Sequence, residues 1–458
     1  MNLLVTADLH LGKTSSALSP GSAHASTRTA WENIVALAID QQADALLIAG
    51  DLVDRDNKFF EAQNALIRGF NRLDEAGICV VLTAGNHDFE ALGNILNNYQ
   101  AEHVHVLGSG GTWQHLDLKL AGTPVRFLGW SFPRRHVSTD PLDDLDSALH
   151  PGDTLTIGLL HGDFGVPDST YAPLSEQGLV RSGIDAWVLG HIHKPSVLRD
   201  SHPLIMYPGS PQALSSKEPG PHGPWMLEIT GRTIRQRHIP VSPVRYESLE
   251  VRVDGVGEET EFYGQITNAV QQFISQEGPS FEQVHSLVVD LLVTGRPVQP
   301  ARFRNVMRSL VSNQDDLQLL FDLAGSHTIS VRIRSVIDAL QGPEADLDTL
   351  MREPGPAGLL ARVIRALEAQ DTSTPIHPTD EQAKRIADAL LEEAGKRIET
   401  LNRNNSFADL RPDPERPYED AVHVDAANRH QVTACAKKEA VRLLDTLLET
   451  HPANRTQA

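Results

Sequence analysis

Cysteine and aromatic residues are scarce in this chain of 458 residues, which has two cysteines and only 5% Phe, Trp and Tyr. The cysteines, Cys79 and Cys435, are too few and too far apart for a disulfide framework or a cysteine-based zinc site. No apolar run reaches the 18 residues that suggest a membrane helix, so no membrane contact is predicted. The N-terminus lacks a basic region and a cleavage site, so no signal peptide is predicted. We expect a cytoplasmic protein.

Positive charge is also in short supply, because 40 Lys and Arg stand against 60 Asp and Glu and give a net charge of −20. Affinity for nucleic acid comes largely from Lys and Arg side chains on phosphates. The composition therefore excludes a broadly basic surface. If this chain binds DNA, it must use a local basic patch, bound metal ions or a more basic partner.

The length predicts two or three domains, because single cores rarely grow beyond about 250–300 residues. Strand patterns dominate up to a break at Pro240–Pro243, and strands and helices alternate beyond it. A second break falls at Gly342-Pro343, after which the patterns are helical. We predict a first domain over residues 1–245, a small α/β domain over 246–341 and a helical region over 342–458.

Five apolar runs rich in Val, Ile and Leu each end in polar residues, and such runs are typical of buried strands. The residues at these ends are Asp8 and His10, Asp51 and Asp54, Asn86 and His87, His161, and His191 and His193. In open α/β sheets, ligands bind at the carboxyl ends of the strands, so we expect these side chains to converge. A lone Asp or His after a strand is more often a helix cap or a turn residue, so the prediction depends on all five clusters.

The residue types in these clusters are those of a metal site. Carboxylate, amide and imidazole ligands suit Mn, Fe, Zn or Mg, and they do not suit Cu(I) or an iron–sulfur cluster. The ligand types leave the identity of the metal open.

The same clusters carry a family resemblance. In order along the chain they read Asp8-x-His10, Gly50-Asp51-x-x-Asp54-Arg55, Gly85-Asn86-His87-Asp88, His161 and Gly190-His191-x-His193. This series resembles the calcineurin-like metallophosphoesterases over roughly the first 245 residues. Two later segments, Tyr207–Pro211 and Glu218–Gly223, are similar to the DNA-repair nucleases of that superfamily, the SbcD type and the YhaO exonuclease-like proteins.

The resemblance implies an α/β fold, in which the first domain is a two-sheet αββα sandwich. A small α/β capping domain and a helical C-terminal region complete the expected architecture. Three strand patterns at 204–207, 225–229 and 233–239 have few helical patterns between them. We therefore expect these strands to pair antiparallel in the second sheet.

The resemblance also implies a role for each residue of the clusters. Asp8, His10 and His193 would hold one metal ion, Asn86, His161 and His191 would hold a second, and Asp51 would bridge the two. His87 would protonate the leaving oxygen, and Asp54 would orient His87. The family implies two divalent ions, with Mn²⁺ favoured and Mg²⁺, Fe and Zn left open.

The function implied is that of a metal-dependent DNA nuclease in DNA repair, an exonuclease, with single-strand endonuclease activity left open. The implied partners are DNA and an SbcC-like ATPase, and a homodimer stays open. One alternative is a cyclic-nucleotide or other small-molecule phosphodiesterase, or a phosphatase. Another is a non-enzymatic interaction module, which the complete set of ligand residues disfavours.

Two amphipathic helices are predicted near the C-terminus, at about 380–402 and 426–450. The first carries one apolar stripe that includes Ala383, Ala387 and Leu390. Such helices either pack on each other or bind a partner helix, and we expect self-packing as the default.

Overall fold

The computed structural model places most of the chain. It describes residues 1–18, 24–54, 59–97, 99, 102–146, 149, 152–312, 319–323, 327–341, 347–371, 380–403 and 429–450. The chain forms two compact units, one of residues 1–249, 267–291 and 313–335, the other of residues 250–266, 292–312 and 336–458. Within the described ranges, no helix combines the length and apolarity needed to span a bilayer.

Six strands form the first sheet. They are β1 (Asn2–Thr6), β2 (Ala45–Ala49), β3 (Cys79–Thr83), β4 (Val104–Val106), β11 (Trp225–Thr230) and β12 (Thr233–His238). Their order is β12-β11-β1-β2-β3-β4, with β1 to β4 parallel and the other two antiparallel. The helices α1 (Thr27–Asp40), α2 (Phe59–Glu75) and α3 (Ala91–Asn97) connect the parallel strands.

Six further strands form the second sheet. They are β5 (Gln114–Leu120), β6 (Thr123–Trp130), β7 (Leu155–His161), β8 (Ala186–Gly190), β9 (Ser196–Asp200) and β10 (Leu204–Tyr207). Their order is β5-β6-β7-β8-β10-β9, and the four inner strands are parallel. A 3-10 turn at Pro141–Asp144 and the short helix α4 (Glu176–Arg181) lie in the connections.

Alternation along the strands builds the layers, because successive side chains of a strand point to opposite faces. In β1, Leu3 and Val5 share a buried cluster with Ile157 and Val188 of the second sheet, so the two sheets pack face to face. Leu4 points the other way, into a cluster with residues of α1 and α2. The outer face of the second sheet is covered by α4 through Leu179 and other residues. The predicted two-sheet α/β sandwich is confirmed.

One expectation about strand pairing is wrong. The strands β11 and β12 are antiparallel as expected, but they extend the first sheet beside β1, not the second. Strand β10 does lie in the second sheet, where it is parallel to β8 and antiparallel to β9. The spacing of the patterns indicated hairpins, but only burial of both faces of β1 decides which sheet a hairpin joins.

A third sheet follows the sandwich along the chain. Its strands are β13 (Val244–Arg252), β14 (Ser286–Gly295), β15 (Leu319–Leu323) and β16 (His327–Leu340), in the order β13-β14-β16-β15. The helices α5 (Glu259–Glu277) and α6 (Pro300–Ser312) and a 3-10 turn at Gly278–Phe281 lie between them. The predicted alternation of strands and helices is confirmed, while the division into three domains stays a prediction.

The C-terminal part of the second unit is helical. It contains α7 (Leu347–Leu350), α8 (Pro356–Asp371), α9 (Glu381–Arg403) and α10 (Arg429–Thr450). Leu367 of α8, Ala383 and Ala387 of α9, and Ala440 and Leu444 of α10 share one buried cluster. The expectation that these helices pack on one another is therefore confirmed, and the small alanines allow the helices to approach closely.

Candidate metal centre

The seven residues predicted as ligands all lie at the carboxyl ends of parallel strands, where the two sheets of the sandwich meet. They are Asp8 and His10 after β1, Asp51 after β2, Asn86 after β3, His161 at the end of β7, and His191 and His193 after β8. None of them is more than 6% exposed. Burial of so many ionisable groups at one place costs free energy, so it points to a site that serves a function.

The backbone at these strand ends is strained. Asp8, His10, Asp51 and His191 have φ angles of 51°, 45°, 50° and 102°. Left-handed conformations of non-glycine residues cost of order 1 kcal/mol or more each and persist where the surroundings enforce them. Backbone hydrogen bonds hold the first two loops together, because the His10 N–H donates to the Asp51 carbonyl at 2.9 Å.

The first group of donor atoms consists of Asp8, His10 and His193, whose ligand atoms lie within 4.8 Å of one another. The Nε2 atoms of His10 and His193 are 3.1 Å apart. On the far side of its ring, His193 donates from Nδ1 to Oε1 of Glu218 at 2.7 Å. That hydrogen bond fixes the proton on Nδ1 and leaves a lone pair on Nε2, as a metal ligand requires.

The second group consists of Asp8, Asp51 and His161, again with ligand atoms within 4.8 Å. His161 Nδ1 donates to the Ala49 carbonyl at 3.0 Å, so its Nε2 lone pair faces the site. That atom lies 3.1 Å from Asn86 Oδ1 and 3.5 Å from Asp51 Oδ2. Three atoms that can donate an electron pair thus converge on one point, an arrangement that suits a cation among them.

Asp51 lies between the two groups. Its Oδ2 is 3.5 Å from His161 Nε2 and 3.7 Å from His10 Nε2, while its Oδ1 accepts the His87 N–H at 2.9 Å. Burial would raise the pKa of Asp51, but the neighbouring His161 and His10 outweigh burial and hold this pKa well below its usual range. The carboxylate is therefore ionised and lies between the two groups of donor atoms.

His191 is held by two carboxylates. Its backbone N–H donates to Asp8 Oδ1 at 3.0 Å, and its Nε2 lies 3.3 Å from Asp163 Oδ1. The ring lies beside His161, with centroids 5.3 Å apart. The structure thus brings His191 to the site but places its Nε2 against Asp163, which sequence reasoning missed because no motif includes it.

A third group, of His10, Asp54 and His87, adjoins the first two. His87 Nδ1 lies 3.2 Å from Asp54 Oδ1, and the His87 side chain is 25% exposed, so it borders the solvent. Burial alone would lower the pKa of His87, but the hydrogen bond to Asp54 raises it above its ordinary value. Lys13 Nζ also lies 3.1 Å from Asp54 Oδ1 and was not predicted. Arg55, which belongs to the same motif, lies outside the described residues.

Asp88 ties two of the ligand loops together. It is fully buried, its Oδ1 accepts the Gly85 N–H at 2.7 Å and its Oδ2 accepts the Leu52 N–H at 2.7 Å. The loops after β2 and β3 are thereby held in register. The residue was visible in the Gly-Asn-His-Asp motif, but only its contacts give it a positioning role.

Glu218 positions His193 and is itself held at three points. Its Oε1 accepts from His193, its Oε2 accepts the Leu214 N–H at 2.7 Å, and its backbone carbonyl lies 3.2 Å from His222 Nε2. The segment Glu218–Gly223 resembled the nuclease branch in sequence, but the resemblance assigned it no task. Its contacts show that it supports the side chain of a predicted ligand.

Two glycines are required by close approach at this site. A Cβ on Gly85 would lie 2.1 Å from Asp51 Oδ1, and a Cβ on Gly190 would lie 1.8 Å from the Ala49 carbonyl oxygen. Any larger residue at these positions would displace the strand ends that carry Asp51 and His161. The glycines of the motifs thus allow the two sheets to meet closely enough for their ligands to face each other.

These donors fit divalent metal ions. Oxygen and imidazole nitrogen ligands converge from both sheets, the tautomers of His161 and His193 are fixed from behind, and Asp51 is ionised between them. Carboxylate and imidazole ligands suit Mn, Fe, Zn or Mg, and their arrangement leaves the choice among these ions open.

Comparison with known proteins agrees with this geometry. Residues 1–195 match the family described as calcineurin-like phosphoesterase. The chain is 32% identical to the uncharacterized metallophosphoesterase YhaO of Bacillus subtilis, over 50% of this chain and 56% of that protein. It is 28% identical to the SbcD component of the nuclease SbcCD of Rhodobacter capsulatus, over 53% of this chain and 69% of that protein.

A further relative is the DNA double-strand break repair protein Mre11 of Haloferax volcanii. The two are 27% identical over 59% of this chain and 57% of that protein. The chain therefore spans little more than half the length of two of these three relatives. Residues 1–195 are thus similar to calcineurin-like phosphoesterases, and the relatives of this chain include a subunit of the nuclease SbcCD and a DNA double-strand break repair protein.

Proposed function

We propose that this chain is a DNA phosphodiesterase that depends on two metal ions and acts as an exonuclease in DNA repair, with single-strand endonuclease activity left open. The observation that carries the proposal is the position of Asp51 between two histidine groups, with the His87–Asp54 pair beside them. A phosphodiester needs charge neutralisation, an activated water and a proton for its leaving oxygen. The two groups of metal-binding side chains would provide the charge neutralisation and the activated water, and the group of His87 and Asp54 would provide the proton.

The residues would divide between the two ions as the resemblance implies. Asp8, His10 and His193 would hold one ion, Asn86, His161 and His191 the other, and Asp51 would bridge them. Such a pair of ions supplies an activated water and neutralises charge on the phosphate. We infer Mn²⁺ from the resemblance, with Mg²⁺, Fe and Zn as alternatives.

His87 would act on the leaving oxygen. Because the hydrogen bond to Asp54 raises the pKa of His87 above its ordinary value, the protonated ring is favoured, and it would donate its proton as a general acid. Asp54 fixes the Nδ1 side of the ring, so the Nε2 side is the one that would face a substrate. Lys13 would add positive charge beside the same pair.

DNA as the substrate and an SbcC-like ATPase as the partner are supported by the relatives' names. One relative is named as part of the nuclease SbcCD, and another as a DNA double-strand break repair protein. The net charge of −20 makes an additional basic partner useful for binding DNA. The helical bundle of α8, α9 and α10 is a candidate element for that partnership.

The test is a turnover assay with Mn²⁺ on labelled linear DNA, bis-p-nitrophenyl phosphate and a cyclic nucleotide. The proteins are wild type, Asp51→Ala, His87→Ala and the control Asp144→Ala, whose side chain is exposed. We expect wild type and control to cut DNA and Asp51→Ala to lose the activity. His87→Ala should retain bound metal and lose at least a hundredfold in kcat, as general acids contribute about 10²–10⁴-fold.

Two outcomes would contradict the proposal. Turnover of the small diesters alone, with and without a purified SbcC-like ATPase, would point to a small-molecule phosphodiesterase. Loss of metal from His87→Ala would show that His87 is a ligand and not an acid.

A further inference from the structure

We propose that the exposed segment Pro133–His136, here called the arginine loop, is a docking surface for backbone phosphates of the nucleic-acid strand at the metal centre. The inference rests on the proposed function and deepens it. It identifies the local basic patch that so acidic a chain needs if it is to hold DNA by itself.

The arginine loop is anchored on the metal centre at its N-terminal end. Phe132, the residue before it, packs edge-on against the candidate ligand His161 with ring centroids 5.6 Å apart. The Phe132 N–H donates to the Ala84 carbonyl at 3.1 Å, directly before the Gly-Asn-His-Asp turn. Ser131 Oγ accepts the Ala84 N–H at 2.8 Å. The start of the loop is therefore fixed to the turn that carries Asn86.

The C-terminal end of the arginine loop is anchored on the same centre from another side. Val137 is 5% exposed, its N–H donates to the Thr170 carbonyl at 2.8 Å, and its carbonyl accepts the Ala172 N–H at 2.7 Å. The ring of Tyr171, which lies between Thr170 and Ala172 in the chain, packs against His191 at a tilt, with centroids 4.9 Å apart. Both ends of this four-residue loop are thus held by residues that contact the candidate ligands His161 and His191. The loop therefore keeps a fixed position relative to these ligands.

A row of rings leads from the arginine loop to the site. His136 is exposed and lies against Tyr171 at 5.3 Å between centroids, and Tyr171 lies against His191. The loop is thus two ring contacts away from a candidate ligand. A DNA strand advances about 3.4 Å along the helix axis per phosphate, so this separation corresponds to a few nucleotides beyond the phosphate being cut.

The chemistry of the arginine loop suits phosphate. All four residues are exposed, and Arg134, Arg135 and His136 are consecutive. Arg134 Nε donates to the His136 carbonyl at 3.1 Å, which stabilises the turn while the guanidinium stays at the surface. Guanidinium groups bind phosphate with two parallel hydrogen bonds, so they are well suited to a backbone that carries no sequence information.

The test compares Arg134→Gln/Arg135→Gln with the control Lys119→Gln/Arg235→Gln, which removes the same charge from exposed positions. Lys119 pairs with Pro124 near the start of β6, at the opposite end of that strand from the metal centre. Binding of a fluorescent single-stranded oligonucleotide is measured by anisotropy over a range of salt concentrations without added metal. Turnover of DNA and of bis-p-nitrophenyl phosphate is measured with Mn²⁺.

We expect the loop variant to bind the oligonucleotide about tenfold more weakly than wild type and the control to bind as wild type does. For the loop variant, the slope of the logarithm of the binding constant against the logarithm of the salt concentration should be smaller in magnitude by roughly 1.4. Each of the two lost phosphate contacts to a single strand contributes about 0.7 to that slope. The relative loss in kcat/KM should be larger for DNA than for bis-p-nitrophenyl phosphate, which has one phosphate and no neighbours.

Equal binding by loop variant and wild type, an equal loss in the control, or an equal loss on both substrates would overturn the inference. The proposed function fails separately, when wild type turns over the small diester and cuts no DNA either with or without a purified SbcC-like ATPase. Because oligonucleotide binding is measured without metal, it reports on the arginine loop in either case.

Discussion

Replacing Glu218 by Gln should weaken metal binding at the His193 position while leaving the fold intact. The carboxylate is 9% exposed and accepts two hydrogen bonds, from His193 Nδ1 and from the Leu214 N–H, each at 2.7 Å. A glutamine of the same shape has one acceptor and one donor at these two places. If its oxygen faces His193, its NH₂ opposes the Leu214 N–H. If it is reversed, His193 must carry its proton on Nε2, where a metal ligand needs a lone pair.

The magnitude follows from these two arrangements. A buried donor that loses its acceptor costs about 1–3 kcal/mol, and each 1.4 kcal/mol is a factor of ten in a dissociation constant. Loss of a partner behind a metal-binding histidine typically lowers metal affinity by about 10–100-fold, which agrees with this range. We therefore expect one of two Mn²⁺ ions to bind about 10–100 times more weakly. The ion near His161 should be less affected, because the Ala49 carbonyl holds that ring.

The assay is a calorimetric titration of metal-free protein with Mn²⁺, together with the rate of bis-p-nitrophenyl phosphate turnover at increasing Mn²⁺. Wild type should show two binding steps, and Glu218→Gln should shift one of them. The Mn²⁺ concentration for half-maximal rate should rise by the same factor, and the rate should recover at high Mn²⁺. Glu228→Gln is the matched control, because that side chain is half exposed on β11.

Unchanged metal affinity in a folded Glu218→Gln protein would refute the reasoning. So would an equal weakening of both ions, since that would indicate a general disturbance of the site. A rate that stays low at saturating Mn²⁺ would show that Glu218 acts on a step other than metal binding.

Three further predictions concern positions away from the ligands themselves. Asp88→Asn should lower the free energy of unfolding in urea by about 2–3 kcal/mol, because one of its backbone N–H donors loses its acceptor. Gly69→Ala should lower it by about 1–2 kcal/mol, despite the helix propensity of Ala, because the new Cβ would lie 2.4 Å from Trp31 Nε1. Burial lowers the pKa of His238 to about 4, so folded His238 stays neutral while unfolded chains take up a proton below about pH 6.5. Stability should therefore fall by up to about 3 kcal/mol between pH 6.5 and 4, and His238→Gln should flatten that profile.

Each of these has its own check. Asp143→Asn, at an exposed position, should leave the free energy of unfolding within about 0.5 kcal/mol of wild type. A stabilising Gly69→Ala would show that α2 shifts easily away from Trp31. His115→Gln, also exposed, should keep the pH profile of wild type, and an identical profile for His238→Gln would contradict the assignment.

The sequence predicted the sandwich well because its strands are short, apolar and punctuated. Runs such as Ala45–Ala49 are buried on both faces and are followed by motif residues. This pattern is local in the sequence, so it can be recognised without knowing which strands lie beside it. It did not predict that β11 and β12 join the first sheet. The alternating pattern of each of these two strands fits the first sheet and the second sheet equally well. Only the packing around β1 decides which sheet they join.

The candidate ligands could be predicted because parallel strands bring their carboxyl ends to one edge. Asp8 and Asp51 share an edge for that reason, His161 joins them because the second sheet packs on the first, and the family motifs named the same residues. The supporting contacts had no such signal. Glu218 reaches His193 across 25 positions of chain, and Asp163 reaches His191 from the loop after β7.

The sequence by itself thus determined the α/β sandwich, the strand ends and the set of side chains that could hold metal. These follow from local burial patterns, from the rule that parallel strands end together and from the family resemblance of the motifs. Only the tertiary structure decided which carboxylate stands behind each histidine, that Lys13 joins Asp54, and that the arginine loop lies beside the centre. Such contacts join segments that have no periodic or local relation, and they exist only once the two sheets have packed together.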